Sequence, residues 1–202
     1  MAALAALTLA AVPALAADAP RPSPLRELSL EELMDVPVTS VLRRESTVGD
    51  SPAAVFVITP EMIRRSGATA LPELFRLVPG MDVARIDNNK WAVSSRGFND
   101  RFAGKLLVQL DGRVLYNQLF SGVYWDAVDV PLADVERIEV IRGPGASVWG
   151  ANAVNGVINI ITKNAADTPG GLLGAGGGAA GLAFGTFRYG GKGPGDLRAR
   201  AY

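Results

Sequence analysis

The run RIEVIRGPGASVWGANAVNGVINIITK, residues 137–163, sets two segments dense in Ile and Val on either side of a glycine-rich turn. Residues 135–142 and 156–162 are short, apolar and bounded by turn residues, the pattern of strands buried in a sheet. A strand followed by glycines also invites a phosphate cradle, but the detail excludes one. Val148 stands where a dinucleotide fingerprint needs its third glycine, and Pro144 removes a backbone donor. The Gly145 to Gly150 spacing suits a P-loop, yet Ala151-Asn152 replaces the Lys-Ser/Thr that would hold phosphate and magnesium.

Upstream, the signals stay dense back to Ala53. Residues 54–58 form a β-prone run, and Thr59-Pro60-Glu61 supplies an N-cap, a first-turn proline and a first-turn acid for a helix stopped by Gly67. Leu71, Leu74, Phe75 and Val78 place one apolar stripe on a second helix over 70–78, ended by Pro79-Gly80. Strands are expected at 81–86, 91–96, 106–110 and 113–116, the last two joined by an Asp111-Gly112 turn. If successive strands alternate in direction, loops 87–90 and 117–125 lie at one end and 97–105 at the other.

Farther out the composition changes. Twelve of the 23 glycines fall between Gly170 and Gly195, so the C-terminal stretch is a different material from the core. In 182–191 one face carries Ala183, Gly185, Phe187 and Tyr189 and the other Phe184, Thr186 and Arg188; in 196–202 charges alternate with Leu197, Ala199 and Ala201. That period suits a transmembrane barrel strand, and the composition suits a flexible linker. At the other terminus, MAALAALTLAAVPALAA (1–17) reads as a secretory signal ending in an Ala-x-Ala pattern. It carries no Lys or Arg before its apolar stretch, which leaves an uncleaved apolar helix as the alternative. Residues 18–52 read as a mobile arm, in which Val36 to Val41 is β-prone but interrupted by Pro37, as in an edge strand or a segment without a fixed partner.

Twenty Lys and Arg balance twenty Asp and Glu, so no overall field draws the chain to nucleic acid. The absence of Cys and His excludes disulfide frameworks, thiolate nucleophiles, Ser-His-Asp triads and the usual transition-metal sites. The pairs Asp126/Asp129 and Asp134/Glu136 have no nucleophile or oxyanion donor nearby and are expected to be solvated surface carboxylates. No enzymatic activity and no cofactor are expected.

The 137–163 run resembles the end of the plug domain of TonB-dependent outer-membrane receptors. The segments ITPEMIRRSGATALPELFRLVPGMDV (58–83), SSRGFNDRF (94–102), LLVQLDGRVLYN (106–117) and PLADVERIEV (131–140) resemble further plug landmarks in the family's order, over about residues 48–190. The resemblance implies an α+β fold: a small plug domain with a mixed β-sheet and short helices at 53–163, followed at 164–202 by the first strands of an incomplete transmembrane β-barrel. It implies energised uptake of a scarce nutrient chelate, most often a ferric siderophore, across the outer membrane of a Gram-negative bacterium. The partner is TonB, pairing with the arm at Val36, Pro37, Val38, Thr39, Ser40 and Val41. Asn88, Asn89, Lys90 and Trp91, with Asn117, Gln118, Phe120, Tyr124 and Trp125, are the ligand-facing candidates; packing against the barrel wall is the other use for those aromatics. Arg96 and Arg142, beside glycines at strand ends, are candidates for bidentate pairing with barrel carboxylates, or ordinary surface arginines. A freestanding periplasmic binding module, derived from a plug without its barrel, is the rival reading.

Overall fold

A computed structural model describes residues 34–38, 46, 47, 49, 53–177, 183–195 and 197–202. The expected signal at 1–17 and residues 39–41 of the arm lie outside the described residues. The core is a five-stranded mixed sheet in the order β3 (Ala54–Ile58), β10 (Val135–Arg142), β11 (Gly156–Thr162), β6 (Leu106–Leu110) and β7 (Arg113–Val114). β10 runs antiparallel to both β3 and β11, while β11 and β6 are parallel. Both halves of the 137–163 run therefore sit at the centre of the sheet, where their Ile and Val residues can be covered on two sides.

Register sorts those residues by face. Phe56, Val140, Ile158 and Val108 form one row, and Ile58, Ile138, Ile160 and Leu110 the next. This face meets Ile63 of α1 (Pro60–Ser66), Leu71 and Leu74 of α2 (Leu71–Leu74), and Phe75, Val78, Trp91, Val93 and Trp125. The opposite face carries Val55, Val57, Leu107, Ile141 and Val157 in a smaller cluster with Val38 and Ala153. The next row on that same face is polar, Glu139, Asn159 and Gln109, all buried, with Glu139 accepting from Arg137 Nε at 2.8 Å.

Local chemistry explains the element ends. The Thr59 hydroxyl accepts from Met62 N–H at 3.3 Å, and Gly67 closes α1 at φ 67°, a left-handed conformation that glycine adopts without a Cβ penalty. The expected helix over 70–78 is α-helical through Leu74 and continues as a 3₁₀ turn at Phe75–Leu77. Asp111 and Gly112 both have positive φ, as a two-residue hairpin turn requires, and the Asp111 carboxylate accepts from Thr162 N and Oγ1 at 2.8 and 2.9 Å.

Strands β4 (Met81–Arg85) and β5 (Trp91–Ser95) form their own antiparallel pair, outside the five-stranded sheet. Segment 96–105 is consequently a crossing between two sheets and not a hairpin turn, so strict alternation of loop ends does not hold. After a second hairpin, β8 (Tyr116–Asn117) with β9 (Gly122–Val123), the chain returns through β10, the short α3 (Ala146–Trp149) and β11.

Beyond Asn164, β12 (Gly170–Gly177), β13 (Ala183–Lys192) and β14 (Arg198–Ala201) form a three-stranded antiparallel sheet. One face presents Leu173, Phe187 and Tyr189, 82%, 63% and 60% exposed, while Arg188 and Arg200 point from the other face toward the core. This is apolar-out, polar-in alternation of the barrel-strand type. Among the described residues no helix is long and apolar enough to cross a membrane, which leaves strand crossing untouched.

In the arm, β1 (Pro37–Val38) pairs antiparallel with β2 (Ser46–Thr47). Val38 is fully buried against Leu107, Ile141, Ala153 and Val157, a partner that β-propensity alone does not reveal.

Candidate ligand and partner sites

The turn after β4 is built around Asp87. Its carboxylate accepts from Asn88 N–H at 2.8 Å and from Lys90 Nζ at 3.2 Å, and the Arg85 guanidinium donates to the carbonyls of Asp87 and Asn88. The Asn88 backbone donor, then Lys90, hold the Asp87 carboxyl below the ordinary carboxylate range. Lys90 is thus engaged with its own loop. Trp91 is buried with the guanidinium groups of Arg85 and Arg76 at 5.3 and 5.7 Å from its ring, and Trp125 is buried against the Phe75 ring at 5.3 Å.

Asn88, Asn89, Trp91 and Trp125 border one open cleft of about 240 Å³, along with Asp126 and Asp129. The structure therefore brings these four ligand-facing candidates together, the tryptophans as its floor. Asn117, Gln118 and Phe120 lie on the β8–β9 hairpin, all exposed, with Asn117 Oδ1 accepting from Leu119 N–H at 2.8 Å to shape the turn. Tyr124 and Phe120 meet Phe102 in a three-ring cluster with centroid separations of 5.0–5.3 Å.

Phe102 belongs to segment 97–105, so that segment lies against 117–125 and not at the opposite end. Gly122 seals the contact: a Cβ there would sit 2.6 Å from Phe102 Cα. Arg101 joins the groups, its guanidinium 4.9 Å from the Phe102 ring and 3.9 Å from Asp126, and its charge also reaches Asp87. Phe98, 71% exposed, carries Lys105 Nζ 3.3 Å above its ring. Sequence reading passed over Arg101, Phe102 and Lys105; the signal present was two phenylalanines and two cations in an otherwise polar loop.

Arg96 and Arg142 lie beside each other at the ends of β5 and β10. Arg96 Nη2 donates to Arg142 O at 3.4 Å, and Arg142 Nη1 donates to Pro79 O at 3.2 Å. Arg96, Gly97 and Phe98 all have positive φ, a tight corner that turns the Arg96 guanidinium over Gly143. Arg142 Nε is buried without a hydrogen-bond partner among the described residues.

Asp134 is not the solvated carboxylate expected of it. It is 1% exposed, with Arg188 Nε 3.3 Å from Oδ1 and Arg200 Nε 3.6 Å from Oδ2. It lies where β10 begins beneath the β12–β14 sheet, and the arginines that bury it arrive from that sheet, 54 and 66 residues downstream.

Among known proteins, the family model of the TonB-dependent Receptor Plug Domain matches residues 47–157. The vitamin B12 transporter BtuB of Vibrio vulnificus (strain CMCP6) is 30% identical over 161 residues, covering 78% of this chain and 26% of the transporter. BtuB of Vibrio cholerae serotype O1 is 32% identical over 139 residues, covering 69% and 22%. The chain thus spans about a quarter of the length of the curated relatives it matches. In structure, the pyoverdine outer membrane receptor FpvA from Pseudomonas aeruginosa PAO1 superposes with a TM-score of 0.58 at 21% identity, over 77% of this chain and 22% of the receptor. The alcaligin outer membrane receptor FauA from Bordetella pertussis gives 0.53 at 20% identity, over 75% and 25%. These two likenesses show the shared fold. The relatives are named as transporters and receptors, not as enzymes.

Proposed function

Because this chain belongs to the TonB-dependent receptor plug domain family, we propose that it serves the energised uptake of a scarce nutrient chelate, a ferric siderophore, across the outer membrane of a Gram-negative bacterium. The observation that carries the ligand site is the packing of loop 97–105 on 117–126 through Phe102, Phe120 and Tyr124, with Arg101 beside Asp126 and the 86–90 turn bordering the same cleft as Asp126, which sets aromatic rings beside cations. That mixture suits a bulky, polar, anionic chelate. The domain plan that goes with it is a signal at 1–17, an arm at 18–52 carrying the TonB contact at 36–41, a plug at 53–163 and wall strands from 164. TonB would pair with the arm as an added strand. Wall strands are supported over a freestanding module by the exposed Leu173, Phe187 and Tyr189 on one face of β12–β13.

The BtuB relatives make cobalamin the second ligand to test. Binding of ferric siderophores of hydroxamate, catecholate and mixed type, and of cyanocobalamin, is measured for a receptor carrying this chain as its plug region. A siderophore is expected to bind, and Arg101→Gln and Tyr124→Ala are each expected to weaken it by about tenfold or more, as at interface hot spots. Cobalamin binding in place of every siderophore would reassign the ligand within the same site. Binding of a ligand that neither substitution disturbs would remove the site from these loops.

A further inference from the structure

The Asp134 cluster lies away from the ligand loops and is not used by the uptake reading. We infer that Asp134 is the anchor that locks the plug core to the wall strands, gripped by a socket of two arginines from adjacent strands. The inference rests on reading β12–β14 as wall. Asp134 ends a 3₁₀ turn at the head of β10, where its backbone carbonyl accepts from Lys163 N–H at 2.8 Å, so its position is fixed by both central strands. Arg188 and Arg200 lie on the core-facing side of β13 and β14, where the pairing Gly190↔Arg200 makes them diagonal neighbours; their side chains are 10% and 11% exposed.

Neither Asp134 carboxylate oxygen has a hydrogen-bond partner among the described residues, so the grip is ionic, and both arginines are held in place by hydrogen bonds to other acceptors. Arg188 Nη1 donates to Thr168 O at 2.6 Å. Arg200 donates to Lys163 O and to Thr162 Oγ1, each at 3.1 Å, and the Thr162 hydroxyl in turn donates to Asp111. Gly190, between the two arginines in register, lets β13 approach Thr168 O so closely that any Cβ would collide with it. A carboxylate this buried requires its counter-charges, and arginines this buried require a carboxylate. Removing either side leaves the other desolvated and unpaired.

The anchor also has a direction. It grips the sheet where β10 begins and β11 ends, whereas Val38 of the arm packs near the other ends of those strands, against Ile141 and Val157. A load between arm and wall would run along β10 and β11, drawing on all their ladder pairs together.

The test uses the full 202-residue chain in detergent micelles, followed by chymotrypsin cleavage at Phe184, Phe187 and Tyr189. Asp134→Asn is expected to speed cleavage about tenfold or more, by raising the population in which β13 has detached. Arg188→Gln with Arg200→Gln is expected to do the same while the core keeps its thermal unfolding transition, which guards against a core that fails to fold with Asp134→Asn. Pairing Asp134→Arg with Arg188→Asp and Arg200→Asp is expected to recover part of the protection. The inference is overturned if neither Asp134→Asn nor the double glutamine variant changes cleavage, or if Asp134→Asn alone does so. Equal protection of β13 without detergent, still lost in both variants, would sustain the anchor and overturn the wall reading.

Discussion

Gly122 and Gly104 hold loops 97–105 and 117–125 together by what they lack. A Cβ at Gly122 would press on Phe102 Cα, and one at Gly104 on the Ser121 carbonyl; both obstacles are backbone, which cannot swing aside as a side-chain tip would. Gly122→Ala is therefore expected to destabilise the core by about 1–3 kcal/mol, the usual cost of overpacking, measured as a lower urea midpoint at unchanged slope. At Gly67 the space is open and the constraint is φ 67°, so alanine is expected to cost about 1 kcal/mol through backbone strain. Asp87 predicts a pH effect of definite sign. Its carboxyl is more acidic in the folded loop than in the unfolded chain, so its contribution is fully present above the unfolded value and is lost as pH falls through the lower folded one. Amide exchange at Asn88 should stay protected through the ordinary carboxylate range and rise below it. Asp87→Asn should remove that pH dependence; a rise centred in the ordinary range would mean that the Asn88 and Lys90 contacts do not hold.

At the scale of elements, the punctuation residues mark the α1 boundaries directly. Thr59→Ala should cost about 1 kcal/mol, the typical value of an N-cap, read as a lowered midpoint in thermal or urea unfolding. Thr59, Pro60 and Gly67 made this helix legible because capping is local, and short apolar runs did the same for β3, β6, β10 and β11. Strand partners were not legible in the same way. Hairpin order predicted alternating ends, but β5 pairs back to β4 while β6 joins β11 in parallel, and neither pairing leaves a mark within the segment between. The aromatic half of the candidate site was hidden for the same reason: Phe102 meets Phe120 and Tyr124 only after that crossing is made. Asp134 was misread because its burial depends on arginines from a sheet whose own sequence is equally consistent with a linker. If β12–β14 are wall strands, Leu173→Arg or Phe187→Arg should destabilise insertion into bilayers by up to about 2–4 kcal/mol at the membrane midplane, while leaving unfolding of the five-stranded core unchanged.

Over the whole molecule, the arm residue Val38, the cleft tryptophans and the β12–β14 sheet all meet the central five-stranded sheet or its ends. Its larger apolar face supports Trp91 and Trp125 under the cleft, and its smaller face receives Val38. A partner that draws the arm away by strand addition must first extract Val38 from that cluster, so the arm is held by packing as well as by its two-residue ladder. We propose that this arm is where TonB takes hold. Single cysteines placed in turn at positions 20–45 of a receptor carrying this chain, crosslinked to the periplasmic domain of TonB, test it most directly. Adducts concentrated at 36–41 are expected; uniform labelling along the arm, or a maximum outside that window, would place the TonB contact elsewhere.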